Sequence, residues 1–212
     1  MGLACALVIA VLVSLVLGKY PVSIEDVCGF FLWKIFNTGV NLSVDRQLLE
    51  NILLNIRLPR IVAAVFVGAS LSISGAAFQA MFLNPLVSPG ILGVLAGASF
   101  GAALGMILSK SWFFVQASCF VFGFLAVMAA VGVARFYKGN SIILLILGGV
   151  ISGALFTSLL SIVKYLADPY NQLPAIVYWL MGGLTLADAG TIRGTAIPVV
   201  AGVGLIISLS GY

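Results

Sequence analysis

Side chains able to do acid–base, nucleophilic or metal chemistry are so sparse in this chain of 212 residues that each can be weighed singly. There is no histidine, and the three cysteines, Cys5, Cys28 and Cys119, lie far apart with no CxxC pair. Two of them sit within apolar stretches, where a thiol behaves as a small hydrophobe. A zinc or haem site built from His and Cys is therefore ruled out, and no cofactor is expected. No G-x-x-x-x-G-K-[ST] run occurs, so the chain does not hold ATP through a phosphate-binding loop. Nor does it offer the paired carboxylates or Ser/His arrangement that a membrane-embedded hydrolase needs. No Asp, Glu, Lys or Arg falls in the middle of an apolar stretch, and Gln79 is the most polar side chain deep within one. That argues against proton-driven transport, while sodium sites made of carbonyls and hydroxyls stay open. An energy source, if there is one, belongs to another chain.

Two places remain where residue type and spacing suggest a task. Arg57 and Arg60 stand three residues apart at the entrance to an apolar stretch. On a helix they share a face and could receive carboxylates, or they could anchor the stretch by snorkelling to the interface. The second place is Asn84-Pro85-Leu86-Val87-Ser88-Pro89-Gly90, where two prolines and a glycine fix a tight, uncharged turn between apolar stretches. It reads either as a rigid corner joining antiparallel helices or as a constriction at the mouth of a pathway.

The elements that must position these residues are membrane helices. Apolar residues make up 62% of the chain and charged residues 8%, with a mean hydropathy of +1.24. A soluble domain carries about a quarter charged residues, so 10 basic and 6 acidic groups cannot cover a globule of this size. The net charge of +4 is spread out, and no basic run exists to meet a nucleic acid. The fold class is all-α, a polytopic transmembrane bundle. Six stretches have spanning length: 2–18, 61–83, 91–108, 112–134, 142–163 and 194–211. Residues 174–183 are apolar but too short to cross and read as a half-helix or re-entrant segment. The first stretch lacks the basic flank and A-x-A site of a signal peptide, which favours a span.

Residues 19–60 form the long polar connection, with five basic and four acidic residues. Ser23 and Asp26 resemble a capping box, and Ile24, Val27, Phe31 and Ile35 recur at helical spacing with Asn37 and Gly39 to end the turn. This predicts an amphipathic helix on the membrane surface, followed by a short helix over 48–56. Small residues recur every fourth position at Gly97/Gly101/Gly105, at Gly68/Ser72/Ala76/Ala80 and at Gly149/Gly153. Such ridges let helices approach closely, within one bundle or across a dimer. The basic loop Arg135–Lys138 would be cytoplasmic by the positive-inside rule, yet charge counting leaves the topology open.

Three blocks carry a resemblance: residues 55–80 with R-L-P-R, residues 81–102 with N-P-L-x-x-P-G-x-L-G, and residues 177–184 with Y-W-x-M-G-G. In this order and spacing they closely resemble the membrane subunits of type II ABC importers for iron-siderophores, haem and cobalamin, the FecCD-like permeases. The resemblance covers the whole chain, weakly in the first fifty residues. It implies a permease subunit of about ten spans, paired with a second such subunit (a homodimer or close paralogue). ABC ATPase subunits sit beneath, and an extracytoplasmic substrate-binding protein docks outside. It implies the bacterial or archaeal cytoplasmic membrane, with the N-terminus inside, 19–60 outside and Arg135–Lys138 inside. Arg57 and Arg60 would receive acidic residues of the binding protein. Asn84 and Leu86 would belong to a cytoplasmic gate, and Ser141 would keep the polar character of its second layer ahead of Ile142 and Ile143. Relatives continue beyond the position of Tyr212 with an ATPase-engaging loop and further spans. The expectation is therefore a partial permease domain over 1–212, with no ATPase site of its own. The competing readings are an ATP-independent channel or secondary carrier, and a non-transporting membrane fragment.

Overall fold

The computed structural model describes residues 2–37, 43–109, 111–136 and 142–210. Among these residues the regular elements are all helical, as they must be where the surrounding solvent offers the backbone no hydrogen bonds. In chain order they are α1 (Gly2–Val16), α2 (Ile24–Phe36), α3 (Arg46–Glu50), α4 (Leu58–Phe82), α5 (Val94–Leu108), α6 (Trp112–Phe136), α7 (Ile142–Leu166), α8 (Gln172–Met181) and α9 (Ala189–Ser210). Four apolar helical stretches among the described residues have spanning length: Arg46–Phe82, Trp112–Phe136, Ile142–Leu166 and Ala189–Leu209. The other two expected spans are shorter as helices. α1 and α5 each have 15 residues, about 22 Å of rise, against a hydrocarbon core of about 30 Å. The expected half-helix is present as the ten residues of α8, closed by Gly182 at φ 75°.

Two expectations are corrected and one is sharpened. The short helix predicted over 48–56 leads into the second span without a break. α3 passes through a π-helical stretch, Asn51–Arg57, straight into α4, making 37 continuous helical residues. Pro59 would break an ordinary helix because its ring collides with the carbonyl four residues back. Here the backbone widens instead, and Leu58 N–H reaches the Leu53 carbonyl five residues away. The predicted third span starts later than Ile91, because Pro89–Leu92 form a 3₁₀ turn and Gly93 is left-handed at φ 78°. The apolar stripe of α2 is also rotated from the predicted one. Val27 and Phe30 are buried, whereas Ile24 and Ile35 are 67% and 69% exposed. The capping expectation holds: Ser23 accepts the Asp26 N–H, and Asn37 closes α2 at φ 52°.

Contacts divide the chain into two units, one of residues 1–71 with 184–212 and one of residues 72–183. The first unit centres on a small core of Val22, Val27, Phe30, Leu49, Ile52 and Leu53. The Asp26 carboxylate reinforces it by accepting from the Ser23 hydroxyl at 2.7 Å, from the Ser43 hydroxyl, and from the Ser43 N–H at 2.9 Å. The Ser23 and Ser43 bonds hold this carboxyl below its ordinary range. Two cations, Lys34 and Arg46, stand over the Trp33 ring at 5.9 and 5.1 Å from its centroid.

The second unit is built on α5, α6 and α7, packed backbone to backbone. A Cβ at Gly97 would sit 2.6 Å from Ala126 Cβ, and one at Gly105 would sit 3.0 Å from Val115 Cα. At Gly101 it would run into the Ser118 carbonyl. Phe100, Phe122 and Phe156, one from each helix, fill the space between with edge-on and tilted contacts 4.9–6.4 Å apart. The hydroxyl of Ser152, a buried polar group, donates to the Ala126 carbonyl at 2.8 Å.

Candidate functional site

The two arginines of R-L-P-R do not share surroundings. Arg57 is 8% exposed. Its guanidinium donates to the carbonyls of Leu15, Val16 and Tyr20, at and just beyond the last turn of α1. These carbonyls lack helical partners, and a cation at a helix C-terminus also complements its dipole. Gly18 makes room for it: a Cβ there would stand 2.7 Å from Arg57 Nη2. Arg60 is only half-buried. Its Nη2 donates to the Thr185 carbonyl at 3.2 Å, while its Nε is shielded and unpartnered among the described residues. Asp188 follows close by, capping α9 through the Thr191 N–H at 2.6 Å. The Thr191 bonds keep its carboxyl below the ordinary range.

The Asn84–Gly90 turn is built from the end of α4. Leu83 takes a left-handed conformation, φ 49°. Its N–H bonds to the Ala80 carbonyl and the Asn84 N–H to the Gln79 carbonyl, the paired bonds of a Schellman closure. The Asn84 side-chain oxygen accepts the Leu86 N–H at 2.9 Å. Gln79 Nε2 donates across the turn to the Pro85 carbonyl at 3.0 Å. Val87 within the turn and Leu92 beyond it are buried with Phe82, and Phe78 stacks on Phe82 at 5.9 Å.

The P-G-I-L-G segment then docks on α7. A Cβ on Gly149 would sit 2.9 Å from Leu92 Cα, and one on Gly93 would sit 2.9 Å from the Gly153 nitrogen. Glycine at 93 thus meets two demands, a positive φ and a backbone contact. The turn leaves Leu86 88% exposed.

Ser141, the expected second gate layer, lies outside the described residues, as does Lys138 of the basic loop. The sequence marks Gln79 only as a polar residue in an apolar stretch, with no link to the turn. The signal available was its position five residues before Asn84, the separation that a Schellman closure bridges. Leu83 carried no signal, because nothing about a leucine marks a left-handed backbone.

The FecCD transport family matches residues 6–212. The chain is 35% identical over 210 residues to the molybdate import system permease protein MolB of Haemophilus influenzae, covering 99% of this chain and 60% of that protein. It is 36% identical over 138 residues to the vitamin B12 import system permease protein BtuC of Klebsiella pneumoniae, covering 63% and 40%. A solved ABC transporter of metal-chelate type, in an inward-facing conformation, superposes with a TM-score of 0.78 at 31% identity, covering 99% of this chain and 61% of that one. The chain therefore spans about three fifths of the length of MolB. With the family matched almost end to end, the chain belongs to the FecCD transport family.

Proposed function

We propose that this chain supplies membrane-spanning helices of an ABC importer permease in a bacterial or archaeal cytoplasmic membrane. ATP is hydrolysed on partner subunits, a substrate-binding protein delivers the cargo from outside, and a second permease subunit completes the path. The chain is not itself an enzyme. The observation that carries this reading is the family match over 6–212 together with 99% structural coverage by a metal-chelate ABC transporter. The cargo is a metal chelate such as an iron-siderophore or haem, or cobalamin. The 35% identity to a molybdate permease adds a small oxyanion to that range.

In this reading residues 19–60 and the half-helix over 174–184 lie on the extracytoplasmic side, and Asn84, Leu86 and Ser141 lie at the cytoplasmic gate. Arg60 receives a carboxylate of the binding protein, supported by its partial exposure. Arg57, the other docking residue that the resemblance implies, is buried against the end of α1, so in this reading it supports that surface by holding α1 instead of meeting the binding protein. ATP binding and hydrolysis then shift the subunit pair between outward- and inward-open states.

The test is uptake into proteoliposomes carrying the assembled importer, with the binding protein supplied outside. Uptake should require ATP, and Arg60→Glu should weaken binding-protein docking by about tenfold, the loss of one close charge pair. Nucleotide-independent uptake would favour a channel or secondary carrier. Unchanged docking in Arg60→Glu would remove the docking assignment.

A further inference from the structure

We propose that Gln79 is a positioning residue for the cytoplasmic gate and that Leu83 joins Leu86 as its apolar closing element. The proposal rests on the gate reading of Asn84 and Leu86.

The turn sorts its apolar residues into two sets. Phe82, Val87 and Leu92 turn inward and are 4–5% exposed. Leu83 and Leu86 turn outward and are 89% and 88% exposed. Leucine gains nothing from water at either place, and at 83 it also occupies a backbone region that opposes its Cβ. A glycine or asparagine would close α4 with less strain. Strain held at an exposed apolar side chain points to a use for that side chain outside the fold of this chain.

Fastening is provided by Gln79 at two points. Its carbonyl accepts the Asn84 N–H at 3.2 Å, and its side chain donates to the Pro85 carbonyl at 3.0 Å. Proline has no N–H, so its carbonyl is the only main-chain handle on this residue. The Asn84 side chain ties Leu86 to the same frame. Gln79 and Asn84 together therefore set the direction in which both leucines project. Two such pairs, one from each permease subunit, form an apolar constriction that excludes water and hydrated solute.

The experiment uses the assembled importer in proteoliposomes loaded with carboxyfluorescein, without nucleotide, with thermal unfolding measured in parallel. Leu86→Ala should leak. Leu83→Gly should leak at least about fivefold faster than wild type while its melting temperature stays the same or rises, because glycine suits φ 49°. Gln79→Met keeps the main-chain bond and removes the donor to Pro85, and it should leak with unchanged melting. A purely structural role predicts a tight Leu83→Gly that is more stable. Wild-type tightness in Leu83→Gly or in Gln79→Met, beside a leaking Leu86→Ala, overturns the proposal and leaves the gate reading standing. A tight Leu86→Ala sinks both.

Discussion

The ridge Gly97/Gly101/Gly105 and the ridge Gly68/Ser72/Ala76/Ala80 carry the same four-residue spacing of small side chains. The first is a closed seam: α6 approaches so near that a single added Cβ would meet its backbone at Gly97, Gly101 and Gly105. The second is open. A Cβ at Gly68 meets nothing within 4 Å among the described residues, and Ser72, Ala76 and Ala80 are exposed. Small residues thus permit close approach, but they do not name the helix that approaches. The first unit, whose described residues form no such seam, secures α1 by other means. Arg57 clasps the carbonyls at its end, and apart from Leu15 the side chains of α1 remain largely exposed.

Substitutions can break or sharpen this contrast. The largest effect belongs to Gly101→Leu, which should cost about 3 kcal/mol or prevent folding, since overpacked side chains cannot be absorbed by backbone. Gly68→Leu in the same chain should change stability by less than about 0.5 kcal/mol. Thermal unfolding in detergent compares the two, and equal losses would abolish the distinction between closed and open ridges.

The polar clasp comes next. Arg57→Ala should destabilise by about 2 kcal/mol, the cost of removing a charged donor from several carbonyls. Arg60→Ala, with a single bond at 3.2 Å, should lose less than about 1 kcal/mol. The same unfolding measurement ranks them, and a reversed order would show that the first unit is not held through α1.

The smallest effect concerns pH. The Asp26 carboxyl is held below its ordinary range by Ser23 and Ser43, so its folded form binds a proton less readily than the unfolded chain does. The stability it contributes is present above its unfolded value, near pH 4, and fades as pH falls further. Asp26→Asn should flatten that acid limb of a melting-temperature profile. An unchanged limb would assign the acid sensitivity to another group.

Much of the architecture was legible because each signal was local. Ser23 and Asn37 marked the ends of α2, and uninterrupted apolar runs marked α6 and α7. Within the candidate site, the N-P-L turn was legible for the same reason: proline and glycine restrict φ wherever they stand. What escaped was whatever depends on a distant partner. Arg57 and Arg60 look equivalent in sequence, yet one reaches carbonyls some 40 residues upstream while the other meets Thr185, 125 residues away. The inner and outer faces of α2 could not be told apart, because both carry apolar side chains and only contact with Leu49 and Leu53 decides between them.

By itself, the sequence determined that this is a helical membrane chain of the FecCD family with a tight turn after Phe82. Hydropathy, proline and glycine act within a few residues of where they are written. Only the tertiary structure decided which arginine is buried, which small-residue ridge is closed, and that Leu83 and Leu86 are both exposed. Each of those outcomes depends on which remote backbone arrives alongside, and short-range preferences carry no information about it.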